Sequence, residues 1–564
     1  MQIKKTPFSL KHAKYATMEG KDASTVLKTE DSGLFWADQI ADGIIHRERY
    51  SYLDKPYKLP KKPSIKTSSS LSGVLHIGRL TDIIRGEAVY RALKDKGIPA
   101  EFIYVAEDMD PLRKIPKGVP DSYREYIGVP VTDIPDPWGC HKTYADHHIT
   151  EFFDIFADFV EEEPKRFSMR EEYRKGNFDW AVEIVLKNSE KVREIINSFK
   201  DINPTPPGWV PYQAVCEKCG KIMTTVVDKY ENGKVHYTCK DYDFKVETAK
   251  GCGHEGWVKP FGKNGKMAWK SEWAAQWKRW DVVGEGAGKE YIVPNSAFFV
   301  NAHISEKVFD YPATTPIFYE HITIGGGGKM SASVGNVVFP RQWLEIAPAE
   351  ALRLLFLKRI NKTRDFKWED TPQLMDELDS MERIYYGVEK AKDEKEEAHL
   401  KRLYEMILTE KPPREYVERM PYSTAAMVSQ IALGSEKRAE GIISRLGYEM
   451  NARNREILPL AGKWASEHGE KLEIQKTIPK SAETFTPKQK EALSKIASLL
   501  DKGLDRHALA KEIFAVAKGF DMKPPEVFTA IYRVLLDAES GPKSGIFLLS
   551  LDKDFVQKRF RLEG

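Results

Sequence analysis

Cysteine is scarce in this chain. Only Cys140, Cys216, Cys219, Cys239 and Cys252 occur among 564 residues. So few, and so clustered, they exclude a disulfide-stapled secreted scaffold. Long apolar runs are missing too, and none approaches the roughly 18 residues of a membrane span. Charge of one sign is not in excess: 87 basic against 84 acidic side chains leave +3. A globally basic coat for nucleic acid is therefore absent, and any RNA contact has to come from local patches. Neither 32 Pro nor 38 Gly is enough for a collagen-like chain. The start, MQIKKTPFSLKHAKY, lacks the apolar segment of a signal peptide. What is present is ample core material, 41% apolar and 30% charged. The expectation is a soluble, cytoplasmic protein of three or four domains, at about 150 residues each.

Residues 64 to 110 carry an α/β signature. The extended stretch Ser64 to Thr67 meets a Ser-rich turn (Ser68 to Ser72) and Gly73. A helix is predicted from near His76 to Gly97. The continuous apolar run AEFIYV follows, as in a buried parallel strand. It ends in Glu107, Asp108 and Asp110, where open α/β sheets place their ligands. A further helix is predicted through Ile149, Phe153, Phe156 and Val160. From 370 onward the pattern is helical. Thr371-Pro372 opens a helix with the face Leu374, Leu378, Met381, Tyr385 and Val388. Thr486-Pro487-Lys488-Gln489 is a capping box with Pro at the first helical position.

Two clusters have metal-ligand chemistry. Cys216-x-x-Cys219-Gly220 precedes Cys239 by 19 intervening residues, and 12 more lead to Gly251-Cys252-Gly253-His254. Soft thiolates in a closed set of four suit structural Zn²⁺. His254 competes with Cys239 for one position. Asp136, Cys140, His141 and His147 form the second set, with His148 as an alternative ligand.

Two segments suit a nucleotide. Ser72-Gly73-Val74-Leu75-His76-Ile77-Gly78-Arg79 joins strand to helix, where a backbone can approach phosphate and a helix start favours negative charge. About 250 residues on, Gly325 to Gly328 precede Lys329-Met330-Ser331-Ala332-Ser333. A lysine and two hydroxyls on a glycine-hinged loop can close over a triphosphate.

Together, HIG and KMSxS in this order resemble the two signature motifs of class I aminoacyl-tRNA synthetases. Within that class the chain resembles the class I lysyl-tRNA synthetases common in archaea. Phe35-Trp36-Ala37-Asp38 is similar to their WAD segment, and Glu107-Asp108-Met109-Asp110 with Leu112-Arg113-Lys114 to their DDMDxLRK. DPWGCHKTYADHH, CEKCG and GCGHEG resemble their two zinc sites. Glu272-Trp273 and Trp277 fit DWxxxW, and SGPKSGIFLLSL is similar to GPRLG near the end. Departures are also plain: Arg79 closes the HIGH or HIGN motif, Ala332 and Val334 replace lysines, and Glu290-Tyr291 stand for Asp-His of GKDH.

The resemblance implies a Rossmann-type α/β catalytic domain over 61–134 and 261–320, after a lead-in of 1–60. It implies a zinc insertion at 135–260, a loop and stem-contact segment at 321–370, and an all-α anticodon-binding domain at 371–564. It implies ATP-dependent ligation of lysine to tRNA(Lys) through lysyl-adenylate, with Mg²⁺ accompanying ATP. His76, Gly78, Lys329, Ser331 and Ser333 would be catalytic. Gly73, Arg79, Gly288, Glu290 and Met330 would join His76, Gly78 and Lys329 around ATP. Thr67, Asp108, Glu272, Trp273 and Trp277 would receive lysine, the indole faces offering a cation–π contact. The basic stretches Lys411 to Arg414 and Lys558 to Arg561 are available for RNA phosphate, or are simply solvated faces. Rival readings are a glutamate-type synthetase, a non-catalytic tRNA-binding paralogue and an unrelated nucleotidyltransferase.

Overall fold

An apolar stripe and a central sheet organise the first half of the chain. The computed structural model describes residues 35–71, 76–116, 118–293, 295–326, 328–330, 337–359 and 364–563. Helix α1 (Trp36–Ile45) buries Trp36, Ile40 and Ile44. Strand β1 (Ser64–Ser70) leads towards α2 (Ile77–Asp95), then β2 (Glu101–Glu107) and β3 (Lys165–Ser168). Later come α3 (Trp269–Arg279), β4 (Val282–Gly288), α4 (Ala297–Lys307) and β5 (Thr315–Tyr319). The five strands form one sheet in the order β5-β4-β1-β2-β3, every pair parallel. The chain moves outward from β1 to one side, then returns to build the other side. That doubly wound order puts a crevice at the carboxyl ends of β1 and β4, where ligands bind in such sheets.

The α/β reading of 64 to 110 has its physical basis here. Phe102 to Ala106 are all buried, as a strand covered on both faces requires. Helix α2 packs over β1, β4 and β5 with Ile77, Leu80, Ile83, Ile84 and Ala88 buried. It stops at Asp95, and Gly97 takes a positive φ of 78° to turn the chain into β2.

The chain divides into two compact units. The first holds Met1–Arg341, Leu352–Phe366 and Lys390–Pro412; the second holds Gln342–Ala351, Lys367–Glu389 and Pro413–Gly564. The helix Glu394–Ile407 thus belongs with the sheet, not with the rest of the residues from 371 onward. Buried Arg353 ties it in, donating to Ile407 O at 2.8 Å and pairing with Glu87 at 2.7 Å. Arg402 adds ion pairs to Asp38 (2.8 Å) and Asp95 (2.7 Å).

The second unit is helical over its described residues after Thr371. The helix Thr371–Tyr385 buries Leu374, Leu378 and Met381. Val388 lies past its end and is 57% exposed, because Gly387 with φ 73° has already turned the chain. The helix Pro487–Leu499 carries the capping box: Gln489 N–H donates to Thr486 Oγ1 at 3.2 Å, and Thr486 N–H to Gln489 Oε1 at 3.0 Å. The helix read through Val160 instead runs Tyr144–Phe156, leaving Val160 buried in extended backbone.

Candidate active site and metal centres

Helix α2 begins at the sheet crevice. His76 is its N-cap, and its ring Nδ1 accepts from Gly78 N–H at 3.2 Å. A Cβ on Gly78 would meet that ring at 2.8 Å, so the capping arrangement needs glycine there. Ile77 N–H donates to Val338 O at 2.9 Å. This bond brings the segment following the KMSAS loop to the start of α2. Lys329 pairs through its backbone with Thr323, and Met330 is buried. Gly73, Ser331 and Ser333 lie outside the described residues. Arg79 is exposed.

Beneath the crevice lies a buried charge cluster. Lys66 on β1 and Glu285 on β4 are register partners and form an ion pair. Glu285 Oε2 also accepts from the indole N–H of Trp273 at 2.7 Å and from that of Trp277. Both tryptophans thus turn their N–H edges to a resident carboxylate. Lys266 bridges Asp110 (2.9 Å) and Glu272 (3.1 Å). Burial works against its charge, but Asp110, Glu272 and Glu107 outweigh that and raise its pKa. Burial also works to raise Asp110, yet Lys266 holds that carboxylate below its ordinary range. Glu107 has Gln276 at 3.0 Å as a neutral partner, and burial pushes its pKa up to about 8. Asp108 accepts from Arg170 N–H at 2.9 Å, and burial raises it to about 6. Thr67 is buried, its hydroxyl donating to Ile103 O at 3.3 Å. Of the residues read as lysine partners, Glu272, Trp273 and Trp277 thus share one helix and one charge cluster, and each has an internal partner.

The remaining nucleotide residues sit at the end of β4. Glu290 pairs with His321 at 2.8 Å, and Lys289 with Glu320 at 3.3 Å. A Cβ on Gly288 would come 3.0 Å from Glu290 Oε2 and 3.2 Å from the Tyr319 ring, so the turn into Glu290 is tight.

Asp82 is a member of this site that sequence reasoning missed. It accepts from Ser68 N–H at 3.2 Å, while its Oδ1 is buried without a hydrogen-bond partner. That oxygen lies 1.4 Å from where a Cβ on Gly286 would be. Burial raises its pKa to about 7. The available signal was an acid inside the buried run Leu80 to Ile84, where an unpaired carboxylate is costly.

Both metal-type clusters assemble. Cys216, Cys219, Cys239 and Cys252 bring their sulfurs within 4.8 Å of one another. Two of the contacts are 3.6 Å (Cys216–Cys252) and 3.7 Å (Cys219–Cys239). A tetrahedral Zn²⁺ with Zn–S near 2.3 Å needs sulfur spacings of roughly 3.8 Å, so the donor set fits. Cys239 ends the strand Lys234–Cys239 of a three-stranded antiparallel sheet, facing inward. His254 instead directs Nε2 towards Glu217, at 3.9 Å.

Asp136, Cys140, His141 and His147 also converge within 4.8 Å. Cys140 Sγ lies 3.2 Å from the Nδ1 atoms of both His147 and His141, and 3.4 Å from Asp136. His148 does not join them. It is buried against Tyr144, ring centroids 4.6 Å apart.

The family model described as "tRNA synthetases class I (K)" matches residues 34–410. A lysine–tRNA ligase of Methanosphaera stadtmanae is 31% identical over 94% of this chain and 99% of its own length. That of Methanocaldococcus jannaschii is 32% identical over 94% and 100%, and that of Haloarcula marismortui 33% over 94% and 97%. With most of the sheet-bearing unit inside the matched region, the chain belongs to the class I (K) tRNA synthetases.

Proposed function

We propose that this enzyme ligates lysine to tRNA(Lys) through a lysyl-adenylate. The observation that carries the reading is the buried charge at the sheet crevice. Six carboxylates (Asp82, Glu107, Asp108, Asp110, Glu272 and Glu285) surround two ammonium groups, Lys66 and Lys266. Burial favours the protonated form of several of these carboxyls, so the site suits a substrate that brings a cation of its own and lets them ionise. Lysine does; glutamate would add a further carboxylate, which speaks against the glutamate-type rival.

In the first step the lysine carboxylate, already ionised, attacks the α-phosphate of ATP and pyrophosphate leaves. No side-chain base is needed, so the protein's task is alignment and charge stabilisation. His76, Gly78, Lys329, Ser331 and Ser333 are assigned to that task, with Gly73, Arg79, Gly288, Glu290 and Met330 around the nucleotide. The Ile77–Val338 bond supports this assignment by joining the two motif-bearing segments. Mg²⁺ enters with ATP. Thr67, Asp108, Glu272, Trp273 and Trp277 line the amino-acid side. The 2′-OH of the terminal adenosine then attacks the lysyl carbonyl of the adenylate and loses its proton, forming the ester as AMP leaves.

The two donor sets are assigned to structural Zn²⁺, one held by Cys216, Cys219, Cys239 and Cys252, the other by Asp136, Cys140, His141 and His147. The insertion 135–260 then serves the acceptor end of tRNA, and the helical region from 371 its anticodon. Among the described residues no helix is long and apolar enough to cross a membrane, in keeping with action in the cytoplasm.

The test is ATP–pyrophosphate exchange with each amino acid in turn. Lysine-dependent exchange that collapses in Lys329→Ala is the expected result. Exchange with another amino acid, or with none while tRNA still binds, would replace this reading with a different synthetase or a non-catalytic paralogue.

A further inference from the structure

The antiparallel pair Tyr212–Ala214 and Gly265–Met267 is the stem from which the cysteine ribbon grows. Lys266 stands on its second strand, opposite Gln213. Val215 N–H continues the pairing by donating to Asn264 O at 2.8 Å, just before Cys216. The buried ammonium that bridges Asp110 and Glu272 is therefore carried by the root of the ribbon.

Asp110 is joined to the same ribbon by a second route. Val131 N–H donates to Asp110 O (3.0 Å), Leu112 N–H to Val129 O (2.9 Å) and Gly128 N–H to Leu112 O (2.9 Å). These bonds make 110–112 and 128–131 a short antiparallel ladder. Gly128 ends it on the ribbon, its carbonyl accepting from Ile222 N–H at 2.8 Å. Ile222 follows the Cys216–Cys219 knuckle, which Cys216 N–H closes on Lys221 O at 2.9 Å. The junction is tight for any side chain. Gly128 has φ 96°, and a Cβ there would lie 3.0 Å from the Ala249 methyl and 3.4 Å from Lys221 Cδ. Glu247 adds a clasp, accepting from Ile115 N–H at 3.2 Å and pairing with Arg124 at 2.7 Å.

We propose that Gly128 is a positioning residue for lysine binding: it seats the ladder of 110–112 and 128–131 on the ribbon, and so sets where the Asp110 carboxylate meets Lys266. Both partners of that ion pair hang from one module, and a shift at Gly128 moves one against the other. Gly128 acts through Leu112 and Val131, not by contact with substrate. The proposal rests on the aminoacylation reading above and adds to it a residue away from the crevice.

Full-length wild type, Gly128→Ala, Ala249→Gly and the double variant are compared in ATP–pyrophosphate exchange, with zinc content as a control. In Gly128→Ala the KM for lysine should rise on the order of tenfold, with kcat and the KM for ATP within about twofold. Its zinc content should equal that of wild type. Ala249→Gly alone should behave as wild type. The double variant lacks the nearest methyl group and should recover part of the loss. Glu247→Ala loosens the same seat without touching Gly128, and should raise the KM for lysine by about threefold, the worth of a partly exposed ion pair. Should Gly128→Ala not fold, Glu247→Ala decides alone. An unchanged KM for lysine, a KM for ATP that rises as much, or a double variant no better than Gly128→Ala would overturn the proposal. Hydrogen–deuterium exchange reads the seat without any reaction. The amides of Leu112 and Val131 should lose protection in Gly128→Ala, while those of the strand Lys234–Cys239 keep theirs. If wild type shows no lysine-dependent pyrophosphate exchange, the functional reading fails by itself, and the amide measurement still decides whether Gly128 seats the ladder.

Discussion

Lys66 and Glu285 face each other across adjacent parallel strands and form an ion pair in which both side chains are almost wholly removed from water. Removing one partner of such a pair leaves a buried charge without its counterion. Lys66→Met should therefore lower stability by about 3–5 kcal/mol, read from urea unfolding. Lys66→Met with Glu285→Gln should cost less than Lys66→Met alone, because the amide carries no charge. A single-variant loss below about 1 kcal/mol would show that the two indole N–H groups suffice for Glu285.

Gly286 makes room for Asp82. A methyl group there would fall on the Asp82 carboxylate, 1.4 Å from Oδ1. Gly286→Ala should cost about 1–3 kcal/mol by overpacking. It should also weaken exchange, since Asp82 holds the carboxyl-terminal part of β1 through Ser68 N–H. A variant as stable and as active as wild type would contradict the packing described.

Asp82 also carries a pH signature. Its folded pKa is raised from 3.8 to about 7, with burial the main cause. Between those values the folded state keeps a proton that the unfolded state has released. Its contribution to stability is therefore full below about pH 4 and is lost as pH rises towards 7. Asp82→Asn removes that loss and leaves an acceptor for Ser68. Relative to wild type, its melting temperature should improve between pH 5 and pH 8. A difference that does not change with pH would count against the raised pKa.

The metal assignment has a compositional test. Cys252→Ser should release one of two zinc ions measured by elemental analysis, while His254→Ala should keep both. Cys140→Ser should release the other. If His254→Ala lost zinc and Cys239→Ser did not, the ligand set of the ribbon would be the alternative one.

Local features were legible in advance because they depend on neighbouring residues. The helix after His76, the strand ending at Glu107 and the capping box at Thr486 each follow from short-range patterns. Two four-residue ligand sets could be marked because liganding chemistry limits the residue types. The choice within each set was another matter. In the ribbon, β-alternation turns Cys239 inward while His254 lies beyond its strand. In the other cluster, one helical step of about 100° turns His148 away from the ligands and into the core.

By itself, then, the sequence determined the motifs, their order, the parallel α/β character near β1 and the stock of metal ligands. Tertiary structure alone decided which charges meet. Lys66 finds Glu285 across 219 positions, and Lys266 finds Asp110 across 156. Asp82 finds the backbone of Gly286 only because α2 lies across β4. Such partners are selected by strand order and register, which bring distant residues within a few ångströms. A carboxylate's neighbours along the chain therefore say little about the charge it meets once buried.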